Sequence, residues 1–211
     1  MSSYRLRLAK PSDAKDIADV HYSIRETGAL GIFAMMGKPF LRCYYRIILN
    51  DPYELVVCAE NENGKIIGFN SSTLDAKAQK KNLRKHRISL AIAAATSIIR
   101  KPSLIKPLYD RWKTVTSNPN ASQYFVQEGA RGEYWAWNPN EKSPAGSVAL
   151  SRAYKDILKA LGVTELYCEV DAENEKAVAY HRLMRDEIVK TIILPDGRKR
   201  HILKTKLSKT K

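Results

Sequence analysis

Hydrophobic and polar positions alternate along Tyr4-Arg5-Leu6-Arg7-Leu8, the period-two pattern of a half-covered strand. Pro11 ends that pattern. With Ser12 or Asp13 as cap, Ile17, Val20, His21 and Ile24 then fall on one helical stripe. A second helix is predicted over Pro39–Leu49, where Phe40, Tyr44 and Ile47-Ile48 share a face. Glu54–Glu60 and Lys65–Ser72 read as strands, joined by a turn containing Asn63-Gly64. From Asp75 to Phe125 the pattern changes. It is helical in composition to Ile99, is broken by Pro102 and Pro107, and resumes around Leu108–Trp112, before a loop at 117–120. Such a length is too great for a bare loop, so the segment should have structure of its own.

The last third is the most regular. Glu133-Tyr134-Trp135-Ala136-Trp137 reads as a strand, and Asn138–Gly146, with two prolines and a glycine, as a loop. Ser147 is the expected cap of a helix running through Tyr154. A strand over Val163–Val170 and a helix led by Asn174 follow. Val189–Leu194 and Arg198–Leu207 flank Pro195-Asp196-Gly197, a hairpin signal. Loop amides at the start of a helix suit a phosphate group, which points to a nucleotide-like cofactor.

This order resembles the GCN5-related N-acetyltransferases. In that family the loop after the fourth strand reads Gln/Arg-x-x-Gly-x-Gly/Ala, and here the segment Lys142-Ser143-Pro144-Ala145-Gly146-Ser147 occupies it. Lysine stands for Gln or Arg, Ala145 for the first glycine and Ser147 for the second. Pro144 removes one amide donor. The family's Asn-x-x-Ala-x-x-x-Tyr is matched from Asn174 through Ala177 to His181, with Tyr180 one place early. The Gly-Phe that follows in the family is Arg185-Asp186 here. Arg7–Ala14, the Gly64-Lys65-Ile66-Ile67-Gly68 run and the Gly31–Leu41 segment also resemble family patterns.

The resemblance implies an α/β (α+β) fold covering nearly the whole chain, 1–211, as one domain. Its mixed, mostly antiparallel sheet would have about seven strands and helices on both faces, with a helical insertion at about 75–125 between strands three and four. It implies acetyl transfer from acetyl-CoA to an amine. Pantetheine would pair with the backbone of Trp135, Ala136, Trp137 and Asn138. The pyrophosphate would lie on Lys142, Ser143, Ala145, Gly146 and Ser147, with Asn174 on the next helix. His181 is expected as the general acid, facing the sulfur with Tyr180 facing away, and Tyr180 is the alternative acid if the helix is rotated or begins one residue later. Glu133 is the candidate base. His21 is a second one, set against a packed histidine on an apolar stripe.

Net charge is +14, and the stretch from Lys77 to Lys113 holds eleven Lys or Arg and one acid, giving 11 − 1 = +10. That segment reads as a solvated face, a lid over the acceptor, or a membrane-surface helix. Aromatics do not interleave with its basic cluster, so there is no strong nucleic-acid signal. A non-catalytic module binding CoA or an acidic partner is the rival reading. Cys43, Cys58 and Cys168 have neither disulfide nor metal-ligand spacing, and a reducing, cytoplasmic setting follows. No signal peptide, transmembrane run or metal site is expected. The partner is an amine acceptor, small molecule or protein, and a homodimer is left open.

Overall fold

The computed structural model describes residues 4–24, 32–106, 109, 125–141, 143–194 and 197–207. Lys142, the expected helix at Leu108–Trp112, the 117–120 loop, Gly31 and the Pro195-Asp196 turn lie outside them.

The strands are β1 (Tyr4–Leu8), β2 (Glu54–Asn61), β3 (Ile66–Thr73), β4 (Arg131–Trp137), β5 (Glu165–Asp171), β6 (Glu187–Ile193) and β7 (Lys199–Lys206). They form one sheet in the order β1-β2-β3-β4-β5-β7-β6. Every neighbouring pair is antiparallel except β4 and β5. β3 is buried at every position, as a central strand must be. β1 is tied to β2 by side chains as well as backbone: Arg5 and Arg7 both donate to the Glu60 carboxylate, and Arg7 also reaches Asp13.

The helices are α1 (Ala14–Ser23), α2 (Ile32–Met35), α3 (Gly37–Ile48), α4 (Ala76–Lys85), α5 (Arg87–Arg100), α6 (Pro144–Ala160) and α7 (Glu175–Leu183). On one face of the sheet, Ile17, Phe40, Leu41 and Tyr45 of α1 and α3 pack with Val56, Cys58 and Phe69. On the other, Leu150, Tyr154 and Leu158 of α6 cover Leu55, Val57 and Leu166. Alternation on β2 sends Val56 and Cys58 one way and Leu55 and Val57 the other, which makes two cores from one strand. The insertion between β3 and β4 is helical as expected. Asp75 caps α4 by accepting from the Lys77 and Ala78 amides, and α5 lies against α3.

The start of α6 corrects the sequence reading. The cap is Ser143, not Ser147: Ser143 Oγ accepts from the Gly146 amide, and Pro144 is the first helical residue. Proline is suited to that place, because its missing N–H would have no helical partner there. The loop thus ends at Ser143, and half of the expected phosphate loop is helix.

Candidate active site

Strand β4 carries an irregularity that shapes the site. Gly132 stands opposite Ser72 and Trp135 opposite Asn70, so three steps on β4 span two on β3. This is a β-bulge at Glu133-Tyr134. Its backbone is satisfied by one side chain: Ser71 Oγ donates to the Tyr134 carbonyl at 3.3 Å, and the Tyr134 amide lies 3.1 Å from the same oxygen. The bulge turns two consecutive side chains to one face. Glu133 meets Tyr44 and Gln79, and Tyr134 packs on His21 and Tyr44. Trp135 then faces the α6 side.

Beyond the bulge, β4 parts from β5. The pair has a single register point, Arg131 to Tyr167, beside a long Tyr167 N to Ala130 O bond of 3.4 Å. From Glu133 to Trp137 the β5-facing edge has no strand partner among the described residues. Trp135 lies in this opening, and its indole Nε1 is buried without an acceptor. Asn138 does not extend that edge, because its amide donates to Ile67 of β3. Ala136 is core.

At the far end of the opening stands the N-terminus of α6. Most of its amides are already used. Ser143 N donates to Glu141 O, Gly146 N to Ser143 Oγ and Ser147 N to Ser143 O, while Pro144 has none. The Ala145 amide is the first-turn donor without a partner among the described residues. Gly146 serves packing: a Cβ there would come within 2.8 Å of both the Trp137 ring and Ser143 Oγ. Gly68 gives the same indole room from β3, where a Cβ would meet it at 2.4 Å. Trp137 is thus slotted between two glycines, and its Nε1 donates to Glu141 O. Alongside opens a cavity of about 500 Å³ lined by Pro144, Ala145, Val148, Ala149 and Arg152. Arg152 makes no ion pair among the described residues. It lies two turns downstream of the Lys142–Ser147 segment. The spacing 145, 148, 149, 152 is the signal that would have placed it on the cavity stripe.

Helix α7 reverses an expectation. Tyr180, not His181, faces β4: its ring centroid lies 4.3 Å from that of Trp135, and its hydroxyl is 2.5 Å from Ser151 Oγ of α6. Burial raises the Tyr180 pKa, against the opposing effect of the Ser151 hydrogen bond, so the hydroxyl keeps its proton at neutral pH. His181 Nδ1 is bonded to Asp186 at 2.6 Å. The cause is the helix end. Asp186 N bonds to His181 O and Arg185 N to Arg182 O, a Schellman closure with Arg185 at φ 58°. Arg185 therefore adopts the left-handed conformation that a helix end usually gives to glycine, and His181 and Asp186 meet where a Schellman motif usually has an apolar contact. Burial works against the Asp186 charge, but hydrogen bonds from His181 and Thr205 and the nearby Lys155 hold its pKa below the ordinary value. Asn174 caps α7, accepting from the Ala177 amide.

The candidate bases are deeply placed. Glu133 accepts from Arg131 at 2.7 Å and Gln79 at 2.8 Å on one oxygen, and from Tyr44 at 2.9 Å on the other. Glu54 lies near it, and neither Glu54 oxygen has a hydrogen bond of normal geometry. Burial, then the Glu133 charge, pushes Glu54 up to about 9, so it is protonated at neutral pH. His21 is 3% exposed, its Nδ1 2.7 Å from the Tyr45 hydroxyl. Burial lowers it to about 4, so it is neutral. No cluster of metal-ligating side chains occurs among the described residues.

Comparison with protein-family models gives no match, and neither does comparison with curated protein sequences. Solved structures do match. An N-acetyltransferase from Staphylococcus aureus Mu50 is 13% identical, with a TM-score of 0.62 over 98% of this chain and 100% of its own. The yncA protein of Salmonella typhimurium, solved with its cofactor acetyl-CoA, is 12% identical, with a TM-score of 0.57 over 100% of this chain and 97% of its own. The ribosomal-protein-S18-alanine N-acetyltransferase of Escherichia coli is 14% identical, with a TM-score of 0.56 over 99% and 97%. The chain has the fold of the GCN5-related N-acetyltransferases, with a seven-stranded, mostly antiparallel sheet.

Proposed function

We propose that this protein transfers an acetyl group from acetyl-CoA to an amine. The observation that carries the reading is the open β4 edge, made by the Glu133-Tyr134 bulge and the parting of β4 from β5, with Tyr180 across it. The residues fit the cofactor in three places. The unpaired edge from Glu133 to Trp137 suits the amides of pantetheine, the orphaned Trp135 Nε1 is a donor awaiting an acceptor, and the Ala145 amide and Arg152 guanidinium suit phosphate. Lys142 stays in the proposed phosphate set, whereas the Ser143, Gly146 and Ser147 amides are already engaged at the start of α6.

Acetyl-CoA, when bound, supplies the thioester. The amine nitrogen attacks its carbonyl carbon, the C–N bond forms and the C–S bond breaks. With Ser151 Oγ–H donating to the Tyr180 oxygen, the Tyr180 proton is left available to the leaving sulfur. The amine must shed a proton, and Glu133 is the proposed acceptor. His181 holds the end of α7 through Asp186 rather than acting as the acid.

A second reading, a non-catalytic module of this fold, is favoured by one observation: the first turn of α6 spends most of its amides internally. Calorimetry with acetyl-CoA and thiol release across a panel of amines separate the two. Tyr180→Phe should lower turnover by about 10²–10⁴-fold with little change in affinity. Arg152→Ala should weaken acetyl-CoA binding by about tenfold, and His181→Ala should chiefly lower the melting temperature. Binding without thiol release for any amine would favour the module, and no binding at all would end acetyl transfer and leave the module with an acidic partner alone.

A further inference from the structure

Helix α5 presents an apolar stripe to solvent. Ile88, Ile92 and Ile99 are 70%, 62% and 78% exposed. At about 100° per residue they lie within about 40° of one another. The opposite side of the helix, through Leu90, Ala93 and Ala94, packs against the α1–α3 core. Beyond the helix, Ile105 and Tyr109 continue the exposed apolar surface. A helix with this division has one covered face and one with no cover among the described residues.

The charge around that stripe is of one sign. From Ala76 to Lys106 there are nine Lys or Arg and no Asp or Glu. Arg84 and Lys85 end α4, Arg87 opens α5 and Arg100 closes it, and Lys101 and Lys106 follow, all of them exposed. None of the six makes an ion pair among the described residues. A solvated charge face would explain the cations but not the isoleucines. A nucleic-acid surface would gain nothing from aliphatic side chains, and aromatic stacking platforms are not interleaved with the cations. An anionic bilayer satisfies both. Its headgroups complement the cations flanking the helix, and its acyl boundary accepts the isoleucines lying between them. None of the described helices is long and apolar enough to cross a membrane, so the helix would lie in the interface rather than span it.

We propose that α5 docks this protein peripherally on an anionic lipid surface, with Ile88, Ile92 and Ile99 entering the headgroup–acyl boundary and the basic residues at both ends held by lipid phosphates and carboxylates. Docking here leaves the α6–α7 side of the sheet free, so it does not rest on acetyl transfer.

The test is flotation of the full chain with phosphatidylserine-rich vesicles and with neutral phosphatidylcholine vesicles. At roughly 0.1 M salt it should float with the first and not the second. Ile88→Glu/Ile92→Glu should weaken binding by about tenfold or more, and so should Arg87→Glu/Arg100→Glu, with circular dichroism unchanged because all four positions are exposed. In an Ile92→Trp variant the added tryptophan should shift to the blue on anionic vesicles and be quenched by brominated acyl chains. Absence of binding to anionic vesicles overturns the proposal. So does binding that the charge variant loses but the isoleucine variant keeps, with no blue shift. That result would make the surface a general polyanion site, which heparin retention would then show.

Discussion

Among the described residues, Arg185 is the one non-glycine residue at positive φ, against what its side chain prefers. At φ 58° it occupies the left-handed region, where a Cβ costs about 1 kcal/mol or more. The arrangement persists because Asp186 is pulled inward by His181, Lys155 and Thr205, and the backbone before it must reverse. Arg185→Gly should therefore raise stability by about 0.5–1 kcal/mol, seen as a melting temperature about 1–4 °C higher. Arg185→Val, stiff at Cβ, should lower it. Equal effects of glycine and valine would show that φ is not what matters there. The same residues explain why the orientation of α7 was hard to read. Counting along the motif puts His181 at the tyrosine position. What turns the helix is a contact five residues away, and its partner, an aspartate in place of an apolar residue, has meaning only once the helix end is closed.

Among the elements, those fixed by local pattern were legible. β1 has the bounds its alternation predicts, the hairpin around Asn63-Gly64 pairs β2 with β3, and Asn174 caps α7. The bulge in β4 was not legible, because Glu133 to Trp137 reads as an ordinary aromatic strand and the extra residue exists only relative to the register of β3. The start of α6 was misplaced by four residues, from Ser147 to Ser143, although Pro144 marked it. Ser143 caps the helix through the very amide that a phosphate would use. Ser143→Ala should thus have two separable effects. It should cost about 1 kcal/mol of stability, the usual loss for a missing cap, while acetyl-CoA affinity holds or improves as the Gly146 amide is released. Weaker binding together with unchanged stability would reverse the assignment of that hydroxyl.

Buried titratable groups set the pH response of the whole molecule from opposite sides. His21 protonates at about 4 when folded and near 6.5 when unfolded. The unfolded chain takes up the proton first, so stability falls as pH drops through that window, by about 3 kcal/mol in all. Asp186 and Asp13, held below their ordinary values, extend the loss at still lower pH. Glu54 acts in the other direction. It keeps its proton to about 9 when folded but gives it up near 4.5 when unfolded, so its contribution declines as pH rises between those values. Glu54→Gln, which cannot ionise, should therefore melt higher than the parent near pH 9 and almost equally near pH 4. A gap of the same size at both would mean that Glu54 is charged in the folded protein.

The weak join between β4 and β5 also divides the polypeptide by order along the chain. The four strands on one side of it are complete by Trp137, and the three on the other begin at Glu165. No strand of either half is borrowed from the other, and one register point spans the boundary. Helix α6 is the clasp: it belongs to the later segment by sequence, yet Leu150, Tyr154 and Leu158 are covered by Leu55 and Val57 of the earlier one. A cut in the short turn between Trp137 and Ser143 would thus leave two contiguous pieces, one carrying an apolar ridge and the other the sheet face that receives it. That is the topological condition for fragment complementation, in which a protein reassembles from two separately made chains.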